Sequence, residues 1–569
     1  MRINLLHYIL IVLLSLVFGS CGPSDANENK IAKGNKLYGG EFRFMSIEKI
    51  KVLFPLHSMD LYSQRLNSQI YESLFKEGKE GNIVVPHLVE NYSISADALT
   101  YTFNLKKGIF FHEDACFEDG TREFNSKDVQ FVLESACKKS SINHISHLLV
   151  GKIVGSETFF SASNKNASIT NISGIKIINN HRLSITLTKP FAGFEKLLSH
   201  PSLGIFPEEA IKKYGDKILT HPVATGPFCL DQMNTSGIIL KRNANYWKSD
   251  EFGNKLPFLD RIVMKYGVDK NSELIAFKKN EIDIILEVPV ENVTNLFGSL
   301  KEAQNGKTIK HKIFSRKSSL TNFLAFANTQ KPFNDPLVRK AFLYAIDKNK
   351  ITEEVLMGEG IAADYGFIPE MIGFQQDTNY RITQNIDKAR AFLAQAGYPG
   401  GQNFPETILW VNTIEGTSMS NWTTNVAQQL ETTLGIKIIL KYCSFEERQN
   451  AIRSGKALFW RSGWIPDYPD PESFVSIFYN KYSELNPFWG NVSCTNPSFN
   501  QLYEESLLEK NSIKRNALLN SCNRLLMEDA IVLPVYYDDF FVVLNLKIRD
   551  FVVNSIETMD LTNVYIKAI

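Results

Sequence analysis

The chain has 569 residues, with 62 basic against 61 acidic side chains and a formal net charge of +1. That balance argues against a nucleic-acid partner, which would want a basic face, and the length exceeds what one hydrophobic core supports, so two or more domains are expected. Aromatic residues make up 12% of the chain, enough to line an apolar or stacking site as well as fill cores.

Residues 1–20 read as an export signal. Arg2 gives a short positive start, residues 5–18 are apolar except for His7, Tyr8 and Ser15, and Gly19 and Ser20 are small. The run is too short to span a bilayer as a mature helix. Cys21, directly after the small residues, resembles the lipobox of bacterial lipoproteins, with Phe18 where Leu is usual. The resemblance implies cleavage before Cys21 and lipid attachment to its thiol and new amino group. An ordinary secretory signal with an incidental cysteine is the alternative. Residues 22–36 are polar, lack an apolar period and read as a disordered tether.

In the body, Tyr101-Thr102-Phe103-Asn104-Leu105 and Leu183-Ser184-Ile185-Thr186-Leu187 alternate like half-buried strands. Ser126 opens a helix carrying Val129, Val132 and Leu133. Asp335-Pro336 opens another, with Val338, Ala341, Phe342 and Ala345 on one face. Asn385 caps a third, with Ile386, Ala389 and Leu393, and Gly397 and Pro399 stop it. Val426, Leu430 and Leu434 line a fourth that Gly435 ends, after which Ile436, Ile438 and Leu440 alternate as a strand. This is a helix–strand unit of α/β type.

A strand expected over residues 457–461 leads into Trp464-Ile465-Pro466-Asp467-Tyr468-Pro469-Asp470-Pro471-Glu472. Asp470 is a good N-cap, with Pro at the first helical position and an acid in the first turn. Asp467 has no such local role. A carboxylate against an aromatic wall suits an ammonium group; a turn cap is the bland alternative.

The six cysteines after Cys21 form no C-x-x-C pair, so a zinc or thioredoxin-like motif is absent, and their spacing assigns no disulfides. His144-x-x-His147 has helical spacing but no adjacent third ligand and reads as a surface pair. No nucleophile elbow, Cys–His pairing signal or P-loop is present.

Seven segments in register resemble one family. They are Tyr71-Glu72-Ser73-Leu74, similar to its "YE-x-L" strand; Pro86-His87-Leu88-Val89-Glu90; Tyr101 through Gly108; Ala224-Thr225-Gly226-Pro227-Phe228; Arg242-Asn243 with Tyr246-Trp247; Val338-Arg339 through Ala345-Ile346-Asp347; and Arg461-Ser462-Gly463-Trp464 through Asp470-Pro471. The family is the bacterial extracellular solute-binding proteins of family 5, the dipeptide, oligopeptide and nickel binders of ABC importers. The resemblance implies an α/β chain with a two-lobed periplasmic-binding-protein-like fold, an extra subdomain and a ligand cleft between the lobes. The implied division is signal 1–20, lipidated cysteine and tether 21–36, lobe I 37–75, extra subdomain 76–199, lobe I again 200–284, lobe II 285–546 and a return to lobe I over 547–569.

The same resemblance implies a non-enzymatic receptor without metal or cofactor, lipid-anchored at Cys21 and facing the periplasm or cell exterior. It would act as a monomer, bind a peptide and deliver it to a separate ABC permease and ATPase. In peptide-binding members the carboxylate three residues after the motif Trp pairs with the ligand's α-amino group; here that is Asp467. Arg461 stands where some members meet a ligand carboxylate, and Trp464 is either a cleft wall or a core anchor. The acidic stretch Glu113-Asp114-Ala115-Cys116-Phe117-Glu118 departs from the family pattern and reads as a solvated loop. Alternatives on the same scaffold are an oligosaccharide, nickel chelate or other small solute, with Trp410, Trp422, Trp460 and Trp489 keeping a sugar platform open. A secreted hydrolase is the remote one.

Overall fold

The computed structural model describes residues 31–567 except 59, 79–82, 164–168, 287–310, 359, 372, 414–416, 480–491, 493 and 554–556, with the backbone alone at 311–318, 418 and 539–541. The signal, Cys21 and Trp489 lie outside the described residues.

The first body begins with β1 (Glu41–Ser46). The chain then builds a four-stranded antiparallel sheet from β2 (Val89–Ile94), β3 (Thr100–Leu105), β4 (Ile175–Asn179) and β5 (Arg182–Thr186), in the order β2-β3-β5-β4. In β3 and β5 the inward side chains are buried and the outward ones are not, as the period-two pattern requires. The helix Ser126–Ala136 packs beside this sheet; its cap is Asn125 rather than Ser126, in a reciprocal capping box with Asp128. The chain returns through β6 (Phe228–Asn234), β7 (Gly237–Arg242) and β8 (Arg261–Tyr266), and β8 lies parallel to β1.

The second body holds a mixed sheet of β9 (Ile284–Leu286), β10 (His311–Phe326), β11 (Thr407–Val411), β12 (Ile438–Tyr442), β13 (Phe459–Trp464) and β14 (Val532–Asn545), in the order β9-β14-β10-β13-β11-β12. Helices Pro336–Ala345, Ile386–Gln395 and Ser418–Leu434 cover it, capped by Asp335, Asn385 and Thr417. Gly435 ends the last of these at φ +71°, a left-handed conformation that favours glycine.

Two large hydrophobic cores result. One gathers residues from Phe42 to Leu286 with Val542 to Val564; the other gathers residues from Phe323 to Tyr536. β10 and β14 run antiparallel from one core to the other: Val532 to Tyr536 pack in the second, and Val542 and Leu544 in the first. Between them the register jumps from Lys317↔Asp539 to Thr321↔Tyr537, so β10 carries surplus residues at the crossing. Such a bulge bends a strand and breaks its ladder, which suits the place where the two bodies join.

Four motif segments of the first body meet at one buried carboxylate. Glu72 accepts hydrogen bonds from Tyr246 Oη (2.7 Å), His87 Nε2 (2.7 Å), Trp247 Nε1 (2.9 Å) and Thr225 Oγ1 (2.9 Å). Lys248 Nζ stands 3.0 Å from His87 Nδ1. An ammonium only donates, so His87 takes that proton at Nδ1 and carries its own on Nε2, facing Glu72. Burial first, and Lys248 second, push His87 down to about 4, so it is neutral at neutral pH. Burial alone would raise Glu72, but His87, Lys248 and the donors outweigh it and hold it at about 2. Tyr71 and Glu72 are not the strand expected: the helix Leu61–Ile70 ends just before them and a strand begins only at Phe75, because the segment's side chain turns inward to this node.

Three further expectations need correction. The tether does not reach Lys36. Residues 31–32 and 36–37 pair as short strands, Ala32 packs with Tyr246, Leu256 and Phe258, and Lys36 is buried beside Asp250 and Asp550. The acidic insertion is folded rather than simply solvated: Asp114 accepts from Tyr214 Oη (2.6 Å), His221 Nε2 (2.8 Å) and the Cys116 amide (2.7 Å), and Phe117 is buried. His147 is not a surface residue but a buried one, in the short helix Ser146–Leu149, while His144 stacks at 4.0 Å on His57. The six described cysteines are unbridged, three of them buried.

Candidate functional site

β11 runs parallel to both β12 and β13, so all three carboxyl ends lie on one edge of the sheet. That edge is where open α/β sheets place ligands. The segment from Trp464 to Glu472 leaves β13 there. Trp464 is packed in the second core, with its Nε1 donating to Ser473 O at 3.1 Å. Ser473 Oγ accepts from the Asp467 amide at 2.9 Å, which ties the loop down from the other side.

Asp467 is held by its backbone, and its side chain has little protein company. The carboxylate is 16% exposed, and His200 Nε2 stands 3.6 Å from it, beyond hydrogen-bonding distance. No described residue donates a hydrogen bond to it. It caps no turn, so that alternative falls away. Asp470 is the opposite case: fully buried, it accepts from Arg515 Nη1 (3.0 Å) and Nη2 (2.8 Å), Lys196 Nζ (3.0 Å) and the Glu472 amide (2.9 Å). Burial alone would raise it; Arg515 and then Lys196 hold it far below the ordinary carboxylate range. Next to it, Glu472 accepts from Tyr468 Oη and Tyr503 Oη, and burial pushes it up.

These groups lie where the two bodies touch. His200 and Lys196 come from the first body, Asp467 and Asp470 from the second. Phe191 meets Tyr468 edge-on at 6.4 Å, and Lys189–Glu504 (3.0 Å) and Lys51–Glu446 (2.6 Å) extend the seam.

Arg461 lies on β13, 7% exposed, with Nη2 donating to Asn322 Oδ1. A Cβ on Gly463 would press on Leu320 Cδ1 at 3.0 Å and stand in ordinary contact, 3.5 Å, with that Nη2. Arg448, which local pattern did not single out, donates to Arg461 O at 2.6 Å and to Asn412 Oδ1. Burial first, then Arg461, push it down to about 9. Asn412 follows β11, so both guanidinium groups belong to the carboxyl edge.

Trp410, Trp422 and Trp460 are buried in the second core and offer no stacking platform. The surface cavity of about 440 Å³ lined by Tyr38, Arg242, Lys255, Leu256 and Asp260 shares no residue with the Asp467 region. Among the described residues no group of three or more His, Cys, Asp or Glu has metal-binding geometry.

The family model for bacterial extracellular solute-binding proteins, family 5 (middle), matches residues 84–486. The chain belongs to that family. This family 5 protein is 26% identical over 493 residues to the glutathione-binding protein GsiB of Shigella flexneri, covering 85% of this chain and 86% of the relative. Its fold superposes with a TM-score of 0.80 on the Helicobacter pylori periplasmic binding protein DppA in complex with the peptide STSA, at 21% identity, covering 93% and 99% of the two chains. The Escherichia coli murein tripeptide binding protein MppA gives 0.80 at 19% identity, covering 95% and 100%. The α/β two-lobed fold of these periplasmic binding proteins is therefore the fold of this chain. Its activity is solute binding, the activity that gives the family its name. Among the described residues no helix is long and apolar enough to cross a membrane.

Proposed function

We propose that this family 5 protein captures peptides between its two bodies and, anchored by lipid on Cys21, hands them to an ABC permease. The observation that carries this is the Asp467 carboxylate. It is mostly buried at the seam, yet takes no hydrogen bond from any described residue. A carboxylate so placed wants a cationic donor, and a peptide's α-ammonium is one. The peptide ligands named for DppA and MppA, and the glutathione named for GsiB, support the same ligand class. Arg461, with Arg448 behind it, supplies positive charge on the same sheet edge for the peptide's carboxylate end.

Capture requires the seam to open. The bodies part about the β10–β14 crossing, the peptide's ammonium meets Asp467, and Lys196–Asp470 and Lys189–Glu504 re-form as the seam closes. Closure excludes water, which strengthens each charged contact inside, and the ligand shifts the population toward the closed form. ATP hydrolysis belongs to a separate chain.

Two measurements test this. Peptide at a hundredfold excess over its dissociation constant should stabilise the fold by about 2.7 kcal/mol, and solution scattering should show a smaller radius of gyration. A rise in melting temperature without compaction would argue for a rigid, preformed site. Separately, Cys21→Ser should leave the precursor unprocessed or release the protein from the membrane fraction; a mature, lipid-bearing mutant still on the membrane rules out the anchor.

A further inference from the structure

The chain enters the first body at a fixed place. Ile31 pairs with Leu37 and Ala32 with Lys36 as a short strap, and the strap is pinned to the turn 250–254. Lys33 N donates to Asn254 Oδ1 at 2.9 Å, and Asn254 Nδ2 donates to Lys33 O at 3.0 Å. Gly34, at φ +77°, lies so close to Phe252 that a Cβ there would stand 2.8 Å from the ring. Ile31 comes ten residues after Cys21, a stretch that spans at most about 35 Å fully extended. A compact body of about 530 residues has a radius of gyration of about 24 Å, so it is wider than that stretch is long. An anchor on Cys21 therefore holds the strap side of the first body toward the bilayer.

That side shows two large apolar side chains to solvent, Phe252 at 45% exposure and Ile31 at 62%. Its charges are sorted. Three acids are drawn onto the buried Lys36 ammonium: Asp550 at 3.1 Å, Glu251 at 3.3 Å and Asp250 at 3.5 Å. Asp260 is taken by Arg242 Nη2 at 2.9 Å. Lys33, clasped to Asn254, and Lys255, which follows it, are both exposed and make no ion pair among the described residues. Tyr38 Oη donates to Lys255 O at 2.7 Å, tying the far end of the strap to the same loop. The charge left uncommitted around the exposed ring is positive.

We infer that this face rests on the bilayer that holds the anchor, with Phe252 and Ile31 entering the headgroup zone and Lys33 and Lys255 meeting anionic lipid headgroups. Apolar side chains flanked by lysines suit that boundary, because the rings and alkyl stems leave water while the ammonium groups stay in it. The contact is weak by itself, but the anchor makes it intramolecular in effect and so populates it. Holding the first body by this face leaves the second body, which carries Asp467, free to swing about the β10–β14 crossing. The inference rests on the lipid anchor at Cys21, not on the identity of the ligand.

The test uses the mature protein purified from membranes and reconstituted in vesicles of phosphatidylethanolamine with phosphatidylglycerol. The photoreactive residue benzoylphenylalanine replaces Phe252, Ile178 or Ile513, all three exposed; Ile31 is the second position on the face if the Phe252 variant does not fold. On irradiation the probe at 252 should give lipid adducts by mass spectrometry, and the probes at 178 and 513 few. Lys33→Gln with Lys255→Gln should cut the adduct yield at 252 by up to about thirtyfold. Salt at about 1 M, where the Debye length is near 3 Å, should have a similar effect. In vesicles of phosphatidylcholine alone the two lysine substitutions should change nothing. Equal adducts at all three positions, none at 252, or a yield in phosphatidylglycerol vesicles indifferent to the lysines overturns the inference. Adducts at 252 to a second copy of the chain, in place of lipid, would make the face a contact between copies and overturn it too. If the amino-terminal peptide of the purified protein carries no lipid, the anchor reading has failed first and this inference with it.

Discussion

Glu72→Gln is expected to destabilise the protein by about 3–6 kcal/mol, the loss of roughly two hydrogen bonds to a charged group at about 1.5–3 kcal/mol each. Four donors converge on this carboxylate from segments as far apart as Trp247. Gln keeps the shape but offers one acceptor oxygen and turns an N–H₂ group toward groups that donate. Tyr246 and Thr225 can rotate their hydroxyls. Trp247 Nε1–H cannot, and His87 cannot change tautomer while Lys248 occupies Nδ1. Lys248 would also lose its nearby counter-charge.

The pH dependence follows from the same node. Glu72 is held at about 2 in the folded state against an ordinary 4.5. Its folded value is depressed, so its stabilisation is complete above the unfolded value and lost as pH falls from about 4.5 toward 2. Urea midpoints measured across that window should fall in the wild type, and the part of the fall due to Glu72 should be missing in Glu72→Gln. Equal acid sensitivity in the two proteins, together with an unchanged midpoint at neutral pH, would show that the node is not a stability element.

The difference between what sequence shows and what only the fold shows is plain at this node. Local signals were legible: Asp335 and Asn385 cap their helices, Gly435 takes the left-handed turn, and the alternation in β3 and β5 marks buried faces. Each depends on neighbours within a few residues. The motif segments containing Glu72, His87, Thr225 and Tyr246-Trp247 were legible as a pattern too, but their common purpose was not, because no periodicity links residues so distant. Asp467 stood out by lacking a local role, and in the fold no described residue donates a hydrogen bond to its side chain. His147 was misread because helical spacing suggests a surface pair, whereas all four residues of its short helix are buried. Arg448 gave no signal at all: on its helix it looks like a solvated side chain, and only the approach of Asn412 and the Arg461 carbonyl buries it.

Asp467→Asn should cost about 3–5 kcal/mol of peptide affinity, on the order of a hundredfold to a few thousandfold in dissociation constant. The variant keeps a hydrogen-bonding oxygen and the backbone bond to Ser473, so the loop should stay in place. What it loses is charge at a position that is only 16% exposed, where an unpaired ammonium is very unfavourable. Acetylating the peptide's amino end removes the other half of the same contact. It should therefore cause a similar loss in the wild type and little further loss in the mutant. The four combinations form a closed cycle by calorimetry. Asp467→Asn should leave the fold itself nearly unchanged, since the carboxylate takes no hydrogen bond from any described residue, in contrast to Glu72 and Asp470. Additive effects of acetylation and mutation would mean that Asp467 does not hold the amino group. The carboxyl edge of the sheet, with Arg461 and Arg448, would then have to bind its solute by the anionic end alone.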